Sequence, residues 1–192
     1  MMTEIRQAGP DEVEEVADLV ATAFFDNEIS PYLVPDTAVR QQVMAGQFRI
    51  IVEHAIAHGS VEAVAGGRAA AVWFPRTGPL PEPADYDARL AAATGEAVER
   101  FRVLDANFEA HHPDEPHHHL ALLAVHPEEQ GQGLGSMLLD HHHALISGTA
   151  AYLETGNPKA RALYARHGYR DRGRFTMPDG TVFWTMWRPE QD

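Results

Sequence analysis

LALLAVHPEEQGQGLGSMLL, from Leu120 to Leu139, contains the strongest structural signal in this chain. An apolar run leads through a short polar segment into GQGLGS, and an apolar pattern with helical spacing follows. A strand that opens through a glycine-rich loop into a helix can hold phosphate groups on its backbone N–H groups, and the helix dipole adds partial positive charge there. The stretch therefore predicts a ligand that contains phosphate.

Two other phosphate-binding motifs begin in a similar way. In a dinucleotide-binding fold, a third glycine would stand where this chain has Ser136, and fewer residues would separate the strand from the first glycine than His126 to Gln130. A P-loop requires Gly-Lys-Ser/Thr, which is absent. A glycine-rich loop alone can also be a simple turn, so the remaining sequence has to decide.

Composition limits the classes of function. A chain of 192 residues with 44% hydrophobic residues can bury one core, and we expect a single domain over residues 1–192. Lys and Arg number 15 and Asp and Glu 28, so the formal charge of 15 − 28 = −13 argues against a nucleic-acid partner and favours amines. The absence of cysteine excludes disulfides, thiolate metal sites and a cysteine nucleophile.

The hydropathy pattern predicts no membrane association. The first residues, MMTEIRQAGPDEVEEV, combine neither a basic start nor an apolar segment, and no run approaches the ~20 apolar residues of a membrane span. We expect a soluble, cytoplasmic protein.

Periodicity and turn residues predict a mixed α/β order without internal repeats. We expect strands at 3–7, 60–64, 68–74, 118–125, 150–154, 169–177 and 181–187. We expect helices at 13–20, 37–57, 85–92, 96–109, 133–147 and 158–167, and loops at 26–36 and 75–83. The strand at 118–125 is almost continuously apolar, as a strand covered on both faces should be.

Two motifs together resemble a known family. Q-x-x-G-x-G at Gln130, Gly133 and Gly135 is followed by N-x-x-A-x-x-L-Y from Asn157 to Tyr164 and then by Gly168-Tyr169. In this order and spacing they resemble the GNAT superfamily of N-acetyltransferases. Four further segments resemble its puromycin N-acetyltransferase branch: AAVWFP (70–75), EAHHPDEP (109–116), AYLETGNP (151–158) and VFWTMWRP (182–189).

The resemblance implies a twisted, mixed and mostly antiparallel sheet of about seven strands, flanked by helices. It also implies acetyl-CoA as the cofactor, with an acetyl group passing directly to an amine. The strand end would bind pantetheine and the glycine loop pyrophosphate, and the helix after Asn157 would flank the thioester. The implied cofactor residues are Leu123, Ala124, Val125, Gln130, Gly131, Gln132, Gly133, Leu134, Gly135, Ser136, Asn157, Ala160 and Tyr164.

Three side chains are candidates for the proton transfers. Tyr164 can donate a proton to the departing thiolate, as a tyrosine at this position commonly does in the family. Glu154, at the end of its strand, is the favoured base, and His119 is the alternative. Without the family, Tyr164 would be a core aromatic and Glu154 a solvated carboxylate. A backbone N–H near Val125 would meet the oxyanion.

The resemblance places the acceptor site between the first two helices and the last hairpin. The implied wall residues are Phe24, Phe25, Asp26, Asn27, Tyr32, Trp73 and Phe74. Aromatic rings beside acidic groups suit an amine with an apolar or aromatic body, such as an antibiotic or another secondary metabolite. A protein or peptide amine and a non-catalytic CoA-binding or regulatory module are the alternatives, and dimerisation is common in such folds.

The chain is rich in histidine, with 12 residues that include clusters at 111–112, 117–119 and 141–143. No cluster has the i, i+4 spacing or the companion carboxylates of a zinc-binding helix. We therefore expect no metal site. On a strand, His117 and His119 should share one face and His118 should point the other way.

Overall fold

The computed structural model describes residues 4–191, so the predicted strand residue Thr3 lies outside the described part. The strands are β1 (Ile5–Gln7), β2 (Ser60–Val64), β3 (Ala69–Arg76), β4 (His117–Val125), β5 (Ala151–Thr155), β6 (Arg170–Thr176) and β7 (Val182–Arg188). The helices are α1 (Val13–Phe24), α2 (Ser30–Leu33), α3 (Thr37–His58), α4 (Tyr86–Thr94), α5 (Val98–His111), α6 (Leu134–Leu145) and α7 (Pro158–Arg166).

The strands form one seven-stranded sheet in the order β1-β2-β3-β4-β5-β7-β6. Among the described strands, β4 and β5 make the single parallel pair, and the other neighbours are antiparallel. A chain crossing through α6 is what allows β5 to run parallel to β4. The predicted fold class, a mixed and mostly antiparallel sheet flanked by helices, is confirmed.

The sheet has a helical layer on each face. Apolar residues of α1, α3, α4 and α5 pack against one face together with Val72, Leu122 and Ala124. The helices α6 and α7 pack against the other face, over Trp73 and Leu153. The core is therefore divided in two by the sheet, and a residue's parity along its strand decides which half it enters.

A β-bulge changes that parity in the middle of β4. Val72 pairs with Leu122 and Trp73 pairs with Leu120, so Ala121 is the additional residue on β4. Leu120 consequently faces the α6 layer, whereas Leu122 and Ala124 face the α1 layer. No feature of the run LALLAV marks the position of this bulge.

The parallel pair separates before either strand ends. Its register runs from His118–Ala151 to Leu120–Leu153, but β4 continues to Val125 and β5 to Thr155. The sheet is therefore open between the carboxyl ends of these two strands, and the glycine-rich loop follows β4 at this opening.

The short helix α2 lies in the segment predicted as a loop, where Pro31 occupies the first turn. Within residues 4–191, none of the helices combines the length and the apolar character needed to cross a bilayer.

Candidate functional site

A cavity of about 690 Å³ occupies the opening between β4 and β5. One end reaches the glycine loop and the start of α6, and the middle runs along the ends of the two strands and α7. The other end lies against α3, α5 and the loop after α1. One continuous space thus joins the predicted cofactor residues to the opposite layer of the protein.

The glycine loop has room for a ligand close to its backbone. Gly131 and Gly133 have positive φ angles of 81° and 84°, which glycine adopts without strain. A Cβ atom at either residue would meet no other atom within 4 Å. Both line the cavity with Gln130, Leu134, Gly135 and Ser136, whereas Gln132 does not. The start of α6 therefore borders open space.

Gly135 differs from Gly131 and Gly133, because a Cβ there would lie 3.3 Å from Cδ2 of Leu163. Its lack of a side chain lets α6 approach α7 closely. Next to it, the hydroxyl of Ser136 lies 3.0 Å from Nε2 of His167, whose Nδ1 lies 2.9 Å from Asp140. Sequence reasoning did not identify this contact, since His167 belongs to neither family motif.

The helix α7 begins at Asn157, whose side chain accepts a hydrogen bond of 2.9 Å from the N–H of Ala160. Pro158 takes the first helical position. Ala160, Leu163 and Tyr164 line the cavity, so this helix face is the one expected from the motif. Tyr164 is buried, and burial raises the pKa of its hydroxyl above the ordinary range, which keeps the phenol protonated.

Two of the proposed catalytic residues are in direct contact. Nε2 of His119 lies 2.8 Å from Oε2 of Glu154, and both residues line the cavity. The Glu154 side chain is 6% exposed, and its Oε1 has no hydrogen-bond partner among residues 4–191. Burial opposes ionisation of this carboxyl, but His119 and His112 outweigh it and lower the pKa of Glu154 below the ordinary range.

The other histidines of β4 follow strand alternation. His118 lies on the α6 side, where its Nδ1 is 3.1 Å from Nε2 of His142. The ring of His117 lies on the Glu154 side, with its centroid 6.4 Å from that of His119. Both positions agree with the predicted geometry.

The predicted lining residues of the strand end are divided between the two layers. Leu123 and Val125 line the cavity. Ala124 is fully buried in the α1 layer, so its side chain does not reach the cavity.

The predicted acceptor wall needs several corrections. Phe24 and Asn27 line the cavity, but Phe25, Asp26, Tyr32 and Phe74 do not. Phe25 instead lies beneath the guanidinium of Arg40, 5.0 Å from its ring centroid.

Trp73 is the clearest of these corrections. It is fully buried under α6, where its ring stacks on His142 with centroids 3.9 Å apart. The physical reason is the strand order: β3 lies on the side of β4 away from β5, whereas the cavity opens on the β5 side.

Other residues supply the far end of the cavity, which is mainly aromatic and aliphatic. It is lined by Phe24, Leu33, Met44, Phe48, Ile51, Phe101, Leu104, Phe108 and Phe183. Asp105 is a carboxylate at this end, and it accepts a hydrogen bond of 2.7 Å from the hydroxyl of Tyr86. Burial raises the pKa of Asp105, which the Tyr86 hydrogen bond partly offsets. An acidic residue within the apolar face of α5 was the available sequence signal for this site.

Comparison with known proteins finds similarity to acetyltransferases. A family model described as "Acetyltransferase (GNAT) domain" matches residues 90–171, which include β4, the glycine loop and α7. The peptidyl-lysine N-acetyltransferase YjaB of Salmonella typhimurium is 31% identical over 61 residues. That match covers 32% of this chain and 42% of the relative's length.

Solved structures resemble the whole chain. A Corynebacterium glutamicum structure, described as histone acetyltransferase HPA2 and related acetyltransferase, is 26% identical with a TM-score of 0.74 and covers 100% of this chain and 98% of its own. A mosquito arylalkylamine N-acetyltransferase-like 5b structure has the same fold, with 18% identity and a TM-score of 0.60 over 97% of this chain and 99% of its own. Residues 90–171 therefore match the GNAT acetyltransferase domain, and the whole chain has the fold of solved acetyltransferases.

Proposed function

We propose that this protein is an acetyl-CoA-dependent N-acetyltransferase whose acceptor is the amine of a small molecule with an apolar or aromatic body. The observation that carries the proposal is the single cavity of about 690 Å³. It joins the open glycine loop, Tyr164 and the His119–Glu154 pair to an end lined by phenylalanines.

The residues at one end of the cavity fit the cofactor that GNAT acetyltransferases generally use. The space around Gly131 and Gly133 would admit a pyrophosphate against the loop amides and the start of α6. The unpaired end of β4, with Leu123 and Val125, would lie along the pantetheine. When bound, acetyl-CoA supplies an activated acetyl thioester.

The side chains in the middle of the cavity can accept one proton and donate the other in the reaction. The lone pair of a neutral amine must attack the acetyl carbon, so a base has to remove one proton from the nitrogen. In the pair of His119 and Glu154, we assign proton removal to the imidazole, because a carboxyl whose pKa is lowered is the weaker base. The ionised Glu154 holds the ring in place and stabilises the imidazolium.

Tyr164 provides the second proton. Its phenol stays protonated at neutral pH and lines the cavity beside the end of β5. It can donate its proton to the sulfur as the carbon–sulfur bond breaks. This division of roles keeps base and acid on different elements, β4 and α7.

The acceptor class follows from the far end of the cavity. Its aromatic rings favour an apolar body, and Asp105 there and the formal charge of −13 both favour a cationic amine on approach. An antibiotic or other secondary metabolite is the narrower hypothesis within this class.

A protein acceptor is the second candidate. The observation in its favour is the 61-residue segment that is 31% identical to a peptidyl-lysine N-acetyltransferase. A lysine side chain would also present an amine on an apolar stem. A CoA-binding module without turnover is the third possibility.

The first experiment measures release of free CoA thiol from acetyl-CoA with a chromogenic trap. The acceptor panel comprises puromycin, other aminonucleosides, arylalkylamines, polyamines, amino acids and lysine peptides. Release that depends on an apolar amine, with the acetylated product seen by mass spectrometry, would support the proposal. Release only with lysine peptides would favour the second candidate, and acetyl-CoA binding without release from any acceptor would contradict catalysis.

A further inference from the structure

Three residues from distant parts of the sequence meet beside the cavity, and two of them line it. His112 follows the end of α5, His119 lies in β4 and Glu154 lies in β5. One side-chain ligand atom from each residue can be chosen so that all three lie within 4.8 Å of one another. None of the three histidine clusters of the sequence has the companion carboxylate of a zinc-binding helix, but here Glu154 of β5 supplies one.

The spacing of these atoms suits a metal ion. Nε2 of His119 is 2.8 Å from Oε2 of Glu154, and Nδ1 of His112 is 3.9 Å from Oε1. In a tetrahedral zinc site with ligands at about 2.0–2.1 Å, neighbouring ligand atoms are roughly 3.4 Å apart. The observed distances, which involve the two different oxygens of Glu154, lie on either side of that value, so small side-chain movements would bring the three groups around one ion.

The carboxylate also has an unused oxygen at this point. The Glu154 side chain is 94% buried by its 6% exposure, and Oε1 has no hydrogen-bond partner within residues 4–191. A buried ionised oxygen without a donor is costly, because its lost hydration is not replaced. A cation between Oε1 and the two imidazoles would supply the missing interaction.

We propose that His112, His119 and Glu154 bind one divalent transition-metal ion of the zinc class. Two imidazoles and one carboxylate form the ligand set of open zinc sites, whereas Mg²⁺ and Ca²⁺ prefer oxygen ligands. Since His119 and Glu154 line the cavity, the remaining coordination position faces the space where the acceptor would bind.

The site has a consequence for catalysis, and this step rests on the proposed function. The metal takes the lone pair of His119 and the charge of Glu154, which are the groups assigned to proton removal. Bound zinc therefore inhibits acetyl transfer, because the ion competes with a proton for the same ring nitrogen of His119.

The binding test uses the metal alone, without acetyl-CoA or acceptor. Zn²⁺ is titrated by calorimetry into the wild type and the variants His112→Ala and Glu154→Gln, and Co²⁺ serves as a visible-absorption probe of coordination. Loss of one of three ligands should weaken Zn²⁺ binding by at least ~100-fold, because removal of an outer partner alone costs 10–100-fold. His111→Ala is the matched control: this neighbour is exposed, and its ring nitrogen contacts the carbonyl of Asn107.

Circular dichroism and thermal unfolding establish that each variant is folded, and His119→Ala replaces any variant that is not. Wild-type affinity in His112→Ala or Glu154→Gln would assign the metal to another histidine group, such as His143 and His167 with Asp140, and overturn the proposal. Failure of the wild type to bind Zn²⁺ at micromolar concentrations would also overturn it.

The inhibition test follows the acetylated product by mass spectrometry, because free CoA thiol itself binds zinc. Zn²⁺ should inhibit the wild type and the His111→Ala control at the same concentration, and a chelator should restore both. Inhibition of the residual activity of His112→Ala should require at least ~100-fold more Zn²⁺. Binding without inhibition would contradict the competition, whereas binding by a protein inactive on every acceptor would leave the metal site intact and refute only the proposed function.

Discussion

Tyr164 lies in the middle of the cavity, and its hydroxyl is the one atom that Tyr164→Phe removes. We expect this variant to bind acetyl-CoA with unchanged affinity but to lose ~10²-fold or more in kcat, because the departing sulfur no longer receives a proton. Steady-state kinetics and calorimetric titration of acetyl-CoA measure the two quantities separately.

Tyr169→Phe is the matched control for Tyr164. Tyr169 is equally buried and packs against Tyr164 with ring centroids 5.9 Å apart, but its hydroxyl contacts His143 and it does not line the cavity. Its kcat should stay within ~3-fold of the wild type, although the lost hydrogen bond can cost about 1 kcal/mol of stability. Equal losses of kcat in both variants would refute a specific acid role for Tyr164.

Individual residues were predicted most directly from sequence where a motif contains them. Gln130, Gly133 and Tyr164 occupy motif positions, and the structure places them around one cavity. Asp105 belongs to no motif, and His112 lies in the segment EAHHPDEP without a predicted role; the relevance of both depends on the packing of α5 beside the opening between β4 and β5. Long-range packing of that kind has no local sequence pattern.

At the scale of elements, the junction between β4 and α6 depends on the backbone conformation of the glycine loop. Gly133 and Gly148 form a matched pair that tests whether this loop binds the cofactor. Both have positive φ, 84° and 82°, and a Cβ at either would meet no atom within 4 Å. Alanine at each should therefore cost a similar ~1 kcal/mol of stability. The KM for acetyl-CoA should rise, by ~10-fold or more, only in Gly133→Ala, because only Gly133 lines the cavity. Equal KM values in the two variants would contradict binding of the acetyl-CoA pyrophosphate at the glycine loop.

The attachment of α6 to the sheet depends on a buried pair between elements. Nδ1 of His142 on α6 lies 2.6 Å from Oε1 of Glu62 on β2, and the two side chains are 5% and 0% exposed. Glu62→Ala removes one partner of a buried pair and should lower the free energy of unfolding by about 3–5 kcal/mol. Urea denaturation measures it against Glu53→Ala, which breaks partly exposed pairs with Arg49 and Arg89 and should cost less than about 1 kcal/mol. Similar losses in both variants would contradict this interpretation.

The elements themselves were largely predictable, but their side-chain directions were not. The predicted strand at 60–64 coincides with β2, and the other predicted strands and helices overlap the observed ones within a few residues. Alternation in apolar residues cannot show a bulge within a continuous apolar run such as β4. The sequence therefore could not show which helical layer Leu122 faces. Trp73 was misplaced because sheet order, rather than strand identity, decides which edge of β4 opens.

For the whole molecule, buried neutral histidines should make the protein sensitive to acid, and His143 tests this. Burial, with positive charge from Arg188, His142 and His167, lowers the pKa of His143 to about 3 from the usual 6.5. Below pH 6.5 the unfolded chain therefore binds this proton first, and stability falls until the pH reaches about 3. His143→Gln keeps a polar group near the Tyr169 hydroxyl but cannot titrate. Between pH 7 and 4.5 the variant should lose about 1–3 kcal/mol less unfolding free energy than the wild type in urea denaturation. His141→Gln is the control, because His141 is only partly buried on the same helix, and a pH dependence shared by all three proteins would refute the assignment.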